Sequence, residues 1–220
     1  MPSSARKGFL DRNDAGRRLA ERLGRYAGRA DVVVLALPRG GVPVAFEVAR
    51  ALGVPLDVFP VRKLGVPGHE ELAMGAVAPG GVRVLNRQVV DGLRIPVEAI
   101  DPVVERERRE LARREQSYRG EAPALAVEGL TAIVVDDGLA TGSTMRAAVL
   151  ALEQRRAKHI VAAVPVGAPD ACEELANAAD EIVCLDMPAD FRSVGEWYDS
   201  FPQLSDQDVR EILRNSMQTR

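Results

Sequence analysis

Two hydrophobic rhythms alternate along this chain. Ala15, Leu19, Ala20 and Leu23 recur at helical spacing, which predicts a helix over Asp11–Tyr26 with Asp11 or Asn13 as its N-cap. The stretch Asp31–Leu37 is apolar after its first residue, as a strand buried on both faces reads. Pro38–Gly41 then forms a tight loop ahead of a helix over Val42–Leu52. Further strands are expected at Leu56–Val61, Thr131–Val135, His159–Val164 and Glu181–Leu185. Helices are expected at Pro96–Tyr118, Met145–Gln154, Pro169–Ala178 and Ser205–Asn215. Between them, Arg62–Gly81 is punctuated by glycine and proline, with Leu72–Ala78 and Val82–Leu85 as a candidate hairpin. Strands alternating with helices argue an α/β fold, a doubly wound parallel sheet covered on both faces. We read residues 1–220 as one domain, with a core over about 28–186 and a C-terminal section over about 187–220. Ligands of such sheets sit at the carboxyl ends of strands, so the loops 38–41 and 136–144 can face one site.

The second of these loops carries the densest chemistry. Ile133–Thr144 reads I-V-V-D-D-G-L-A-T-G-S-T: a buried strand ending in two carboxylates, a turn of small residues, and hydroxyls where a helix begins. Gly138, Ala140 and Gly142 let backbone approach a ligand closely. Ser143 or Thr144 is expected to cap the following helix, whose free amides and positive dipole end favour a phosphate. Asp136 and Asp137, beside that anion cradle, can hold ribose hydroxyls directly or through a divalent ion with oxygen ligands. Two rival phosphate motifs are absent: the chain has no Gly-Lys-Ser/Thr loop and no G-x-G-x-x-G after a strand.

Val134, Val135, Asp136, Asp137, Thr141, Gly142, Ser143 and Thr144 together resemble the 5-phosphoribosyl-1-pyrophosphate (PRPP) signature of the type I phosphoribosyltransferases. The resemblance implies that fold, with a small hood and a mobile loop. It implies transfer of the 5-phosphoribosyl group from PRPP to a nitrogenous base or other N-nucleophile, with Mg²⁺ and release of pyrophosphate. Ala140, Thr141, Gly142, Ser143 and Thr144 would take the 5-phosphate, and Asp136 and Asp137 the ribose and, directly or through it, the metal. Arg39, Gly40 and Gly41 resemble the family's pyrophosphate loop, a planar cation beside exposed amides. Arg62 and Lys63 are similar to the Arg-Lys pair that, in adenine and orotate phosphoribosyltransferases, closes a strand before a mobile catalytic loop. Such a lid excludes water and brings positive charge to the departing pyrophosphate.

Phe191, Val194, Glu196, Trp197 and Tyr198 stand where purine enzymes of the family carry the hood that stacks the base; aromatics in a loop also form a satellite core. One position narrows the acceptor. The 6-oxopurine enzymes carry an Asp four residues after the first acid, and here that residue is Ala140, so the signature is closer to the adenine type. The blocks Arg62–Gly68 and Glu71–Ala76 resemble those of stand-alone bacterial phosphoribosyltransferase-domain proteins of unassigned acceptor. The competing reading is a PRPP- or nucleotide-sensing domain that transfers nothing, favoured by a loop that offers only His69 before Glu70 and Glu71.

Bulk properties narrow the partners. A net charge of −3 over 220 residues gives no global attraction to nucleic acid or anionic membrane. The alternating charges of residues 101–119 read as a solvated, ion-paired helix face. Cys172 and Cys184 are expected to be buried thiols of a reducing compartment, and His69 and His159 are too few for a zinc site. No apolar run reaches membrane-spanning length, and Met1–Gly8 leads into no signal-peptide core. The expectation is a cytoplasmic protein, by resemblance a homodimer, acting on small molecules.

Overall fold

The computed structural model describes residues 8–120 and 123–218; the segment before Gly8, read above for a leader, lies outside the described residues. Five parallel strands form the central sheet: β1 (Val32–Ala36), β2 (Leu56–Val58), β6 (Thr131–Val135), β7 (His159–Val166) and β8 (Glu181–Asp186). Their order is β2-β1-β6-β7-β8. β1 pairs with β6 in the register Val32 to Thr131 through Ala36 to Val135. Because β1 leads outward to β2 while β6 leads the other way to β7 and β8, the order reverses between β1 and β6. A crevice therefore opens at their carboxyl ends.

Alternate residues of these strands face opposite layers. Val32, Val34, Ala36, Ile133 and Val135 pack against α1 (Arg12–Arg22), α2 (Gly41–Leu52) and α7 (Asp206–Gln218). Val33, Leu35, Ala132 and Val134 pack against α5 (Ser143–Gln154) and α6 (Pro169–Ala176). Burial on both faces is why these strands read as continuous apolar runs. None of the described helices is long and apolar enough to cross a membrane.

Several boundaries differ from the sequence reading. α1 ends at Arg22 and a 3₁₀ turn, Gly24–Tyr26, follows it. Asp11 caps α1 as expected, accepting from the Asp14 amide at 2.8 Å. β2 stops at Val58 rather than reaching Val61, because Pro60 has no amide to continue a ladder. Ser205 caps α7 reciprocally with Asp208, each accepting the other's amide hydrogen, at 3.2 and 2.7 Å.

The larger departure is at residues 62–92. Arg62 and Lys63 do not close a strand of the main sheet; they open β3 (Arg62–Val66) of a separate antiparallel sheet with β4 (His69–Ala78) and β5 (Val82–Leu85). The expected loop is thus a hairpin turning at Pro67-Gly68, with register shifts on either side of Gly65. The expected pairing of β4 with β5 is present. A six-residue helix missed from sequence, α3 (Arg87–Gly92), follows with Asn86 as its cap. The long helix α4 (Val97–Arg119) covers this sheet, burying Ile100, Val103, Val104 and Leu111 against Leu64, Val66, Met74 and Val77.

One ion pair fixes hairpin to helix. Arg62 donates to Glu107 Oε2 from Nε at 2.9 Å and Nη2 at 2.6 Å, and Arg106 reaches Oε1 at 3.0 Å. Burial raises the Glu107 pKa, but the hydrogen bonds from Arg62 and then Arg106 outweigh it, so the net shift is downward. A carboxyl lowered on folding stabilises above its unfolded pKa and loses that contribution as pH falls through the folded one. Glu107→Gln is therefore expected to cost about 1 kcal/mol at neutral pH, the scale of a part-exposed charge-assisted contact. Urea unfolding midpoints compared between neutral and acidic pH check this, and the deficit should shrink on acidification; a pH-independent deficit counts against it.

Candidate functional site

The crevice between β1 and β6 is closed on its floor by two loops that touch. Leu37 donates its amide to Val135 O at 2.9 Å, and the chain then turns through the Pro38–Arg39 peptide, which is cis, into α2. Gly40 and Gly41 lie directly against the acid pair. A Cβ on Gly40 would collide with the Asp137 carboxylate, and one on Gly41 would fall 2.5 Å from Val135 O and 3.2 Å from Asp136 Oδ1. The sequence-predicted groups Arg39–Gly41 and Asp136–Asp137 are thus brought together, about a hundred residues apart in the chain.

The expected phosphate loop lies on the other side. Leu139 pairs with the end of β7, its amide donating to Val166 O at 2.9 Å and its carbonyl accepting from Ala168 at 2.8 Å. The chain then turns at Gly142, whose φ of 70° is left-handed and suits glycine, and enters α5 at Ser143. Neither Ser143 nor Thr144 caps the helix, contrary to expectation; Gly142 holds that position with no side-chain cap. The Thr141 and Ser143 hydroxyls stand 3.0 Å apart at the surface. Among the described residues, no partner is found for the amides of Ala140–Thr144. Free amides at the start of a twelve-residue helix suit an anion.

The carboxylates are not equivalent. Asp136 Oδ1 accepts the Asp137 amide at 2.9 Å, and burial, followed by repulsion from Asp137, pushes the Asp136 pKa well above the usual carboxylate range. Asp137 Oδ2 is clamped by Arg12, whose Nε and Nη2 both lie at 2.9 Å. Arg12 is 8% exposed, donates Nη1 to Pro202 O at 2.8 Å, and lies 3.7 Å over the Phe201 ring. Tyr198 donates its hydroxyl to the Asp137 carbonyl at 2.6 Å; burial, then the Asp137 charge, raise its pKa. Arg12 escaped the sequence reading. Its one sequence signal is position, a cation as the first residue of a helix, where the dipole disfavours it unless an anion is near.

The hood candidates divide. Val194 packs on Gly138 and helps line a cavity of about 460 Å³ with Arg12, Arg39, Gly40, Asp137 and Phe201. Phe191 and Trp197 instead pack on the small apolar cluster of Phe9, Ala15, Val166 and Tyr198. Glu196 is exposed on the 3₁₀ turn Val194–Trp197. Phe201, 37% exposed, is the aromatic ring that reaches this cavity. Arg39 is held loosely by Asp206 at 3.9 Å, which also accepts the Tyr118 hydroxyl at 3.0 Å; burial, then Asp206, push Tyr118 up to about 12. Arg62 is directed to Glu107 rather than to the acid pair, and Lys63 is exposed on β3.

No cluster of three or more His, Cys, Asp or Glu side chains suited to a metal occurs among the described residues. The protein can offer Asp136 and the Asp137 oxygen not held by Arg12. An all-oxygen set this small fits a hard cation that keeps water and ligand oxygens, as Mg²⁺ does, and does not fit structural zinc. Arg12→Ala removes the clamp and leaves Asp137 without its cation. We expect a stability loss of about 3 kcal/mol by chemical denaturation, and strong non-additivity with Asp137→Asn. Additive losses would show that the two residues act independently.

Comparison with known proteins identifies the family. The sequence model of the family described as "Phosphoribosyl transferase domain" matches residues 9–199. Two Mycobacterium tuberculosis proteins, from strains CDC 1551 and H37Rv, are each named "Putative phosphoribosyl transferase" and are 50% identical over 205 residues. The match covers 93% of this chain and 46% of each relative, so the chain spans about half their length. The crystal structure of TT1426 from Thermus thermophilus is 43% identical and superposes with a TM-score of 0.86, covering 94% of this chain and 98% of that one. With its sequence matched from Phe9 to Asp199 and its five-stranded core on the same plan, this chain belongs to the phosphoribosyl transferase domain family.

Proposed function

We propose that the crevice binds PRPP and transfers its 5-phosphoribosyl group to a nitrogen nucleophile, releasing pyrophosphate. The observation that carries this reading is the acid pair Asp136–Asp137, set between a cradle of free amides at 140–144 and the Arg39–Gly41 loop. A ligand with two anionic ends and a sugar between them matches that order of groups. The 5-phosphate lies on Ala140–Thr144, Asp136 holds the ribose hydroxyls with the free oxygen of Asp137, and pyrophosphate lies on Arg39, Gly40 and Gly41. Bound Mg²⁺ would neutralise charge on the leaving pyrophosphate. As the bond from the anomeric carbon to pyrophosphate oxygen breaks, positive charge develops on the ribose and the nucleophile closes on it. The protein's part is to orient these groups and stabilise charge.

The acceptor class follows from two features. Ala140 supplies no acid where 6-oxopurine enzymes carry one, which favours an adenine-type base. Phe201, exposed beside Arg12, offers a ring face for stacking. The same reading has the protein working as a cytoplasmic homodimer, folded as one domain. A sensing role is the second reading, favoured by the commitment of Arg62 to Glu107, which leaves the hairpin poorer in cations for the departing pyrophosphate.

Calorimetric titration of PRPP with and without Mg²⁺ tests the binding step. Asp136→Asn is expected to weaken Mg²⁺-dependent binding by about tenfold or more while leaving the melting temperature close to wild type; undiminished binding would sink the assignment. Pyrophosphate release measured over a panel of bases separates the two readings. Release with one base names the acceptor, and binding without any release supports the sensor.

A further inference from the structure

The chain's two cysteines converge on one glycine. Cys172 lies in the first turn of α6, and Cys184 lies in β8, the strand at the edge of the central sheet. Both are free thiols, Cys172 buried and Cys184 half-buried, on the sheet face that α5 and α6 cover. Gly167, the residue after β7, lies against both. A Cβ on Gly167 would stand 2.5 Å from Cys172 Sγ and 3.4 Å from Cys184 Sγ, so its missing side chain leaves the space in which the two sulfurs meet. Cys184 Sγ has a second acceptor in Asp186 O at 3.2 Å. The hydrogen bond between the thiols lowers the Cys172 pKa and, with burial, raises that of Cys184, so negative charge on the pair rests on Cys172. The start of α6 acts in the same direction, because the amides of a helix N-terminus favour a thiolate.

This pair stands directly behind the phosphate loop. Leu139 bridges to Gly167, its amide on Val166 O at 2.9 Å and its carbonyl accepting from Ala168 at 2.8 Å. Leu139 Cβ lies 3.2 Å from the point where a Gly167 Cβ would be. Ala171, the residue before Cys172, backs Gly142, its Cβ 3.7 Å from the corresponding point there. A movement of α6 against β8 therefore reaches the 139–142 segment at both of its ends.

We propose that Cys172 and Cys184 form a redox-sensitive modification site, which a peroxide closes into an intramolecular disulfide and which, once closed, loosens the phosphate loop. One S–S bond replaces two S–H bonds. The thiols give up two electrons and two protons, and the O–O bond of hydrogen peroxide breaks to leave two waters. Cys184, half-buried on the edge strand, is the side from which the oxidant reaches the pair. Small thiols reopen the bond by exchange. Drawing the sulfurs into a bond displaces the Gly167 backbone packed against them, and with it the two hydrogen bonds that seat Leu139. Neither the disulfide nor the loop response requires catalysis; only an effect on PRPP affinity rests on the function proposed above.

The full chain, treated with hydrogen peroxide while folded, is read by thiol titration after unfolding, by intact mass and by amide hydrogen exchange. Wild type is expected to lose both titratable thiols and two hydrogens of mass, with no covalent link between chains, and dithiothreitol should restore both. The Leu139 and Ala168 amides should exchange about threefold or more faster in the oxidised chain. Cys184→Ala, with Cys172→Ser as a second variant and thermal melting to verify the fold of each, should keep its slow exchange after the same treatment. Oxidised wild type should also bind PRPP about threefold or more weaker than reduced wild type. Thiols that survive peroxide, mass gained as oxygen without an S–S bond, a disulfide between two chains, or a closed disulfide with unchanged loop exchange would each overturn the proposal. Failure of PRPP to bind even the reduced chain would overturn the proposed function alone, with thiol count and exchange still deciding the disulfide.

Discussion

Everything at the candidate site depends on how closely two strand-end loops approach. Asp137 Oδ2 occupies the space where a side chain at residue 40 would begin, and the Asp136 backbone occupies the corresponding space at residue 41. Only glycine at both positions lets β1 and β6 present an amide-lined loop and two carboxylates within one crevice. The parallel register from Val32 to Ala36 beside Thr131 to Val135 sets the height of the two loops. The topology sets their facing, because strand order reverses between these two strands. Sheet packing thereby determines the relative placement of groups that no local motif could bring together.

Charge placement is the second organising principle. Arg12 joins α1, the acid pair and the 198–202 segment through one planar guanidinium, using its Nε and both terminal nitrogens and one face of its plane. Glu107 plays the same part for the hairpin, holding β3 to α4 through Arg62. Asp57 does so at the sheet edge, accepting from Arg119 at 2.8 Å and from the Leu125 amide at 2.9 Å. Each junction is a buried or half-buried acid taken up by an arginine from a distant element. Such pairs add little net stability over apolar contacts, but breaking one leaves a charge without its partner, which fixes the relative position of the elements.

Much of this was legible in the sequence. The apolar runs at Val32–Ala36 and Thr131–Val135 read as strands buried on two faces, and the small-residue turn with its acids and hydroxyls followed the second where a βα loop was expected. Less legible was residue range 62–92, because Gly65, Pro67 and Gly68 read as loop punctuation. A register irregularity absorbs the first, and the other two form the hairpin turn. α3 is too short, at six residues, to display a helical period. Arg12 was hidden for a different reason: its partners Asp137 and Pro202 lie 125 and 190 residues away, beyond any local pattern. The exchange of Ser143 for Gly142 at the cap turned on one left-handed residue, a choice that T-G-S-T leaves open.

The meeting of Phe9 with the 197–199 segment has a consequence for folding order. Phe9 pairs with Tyr198, its amide donating to Trp197 O at 2.8 Å, and the Tyr198 ring lies 5.4 Å from that of Phe9. These contacts close a loop of nearly the whole described chain and border the acid pair directly, through the Tyr198 hydroxyl and the Phe201 ring under Arg12. Contacts of such high sequence separation carry the largest loop-closure cost and form late. During synthesis the sheet and the phosphate loop can assemble while residues beyond 190 are still to emerge, yet Asp137 lacks its wall until they do. The parallel sheet can therefore form before the wall beside Asp137 is complete.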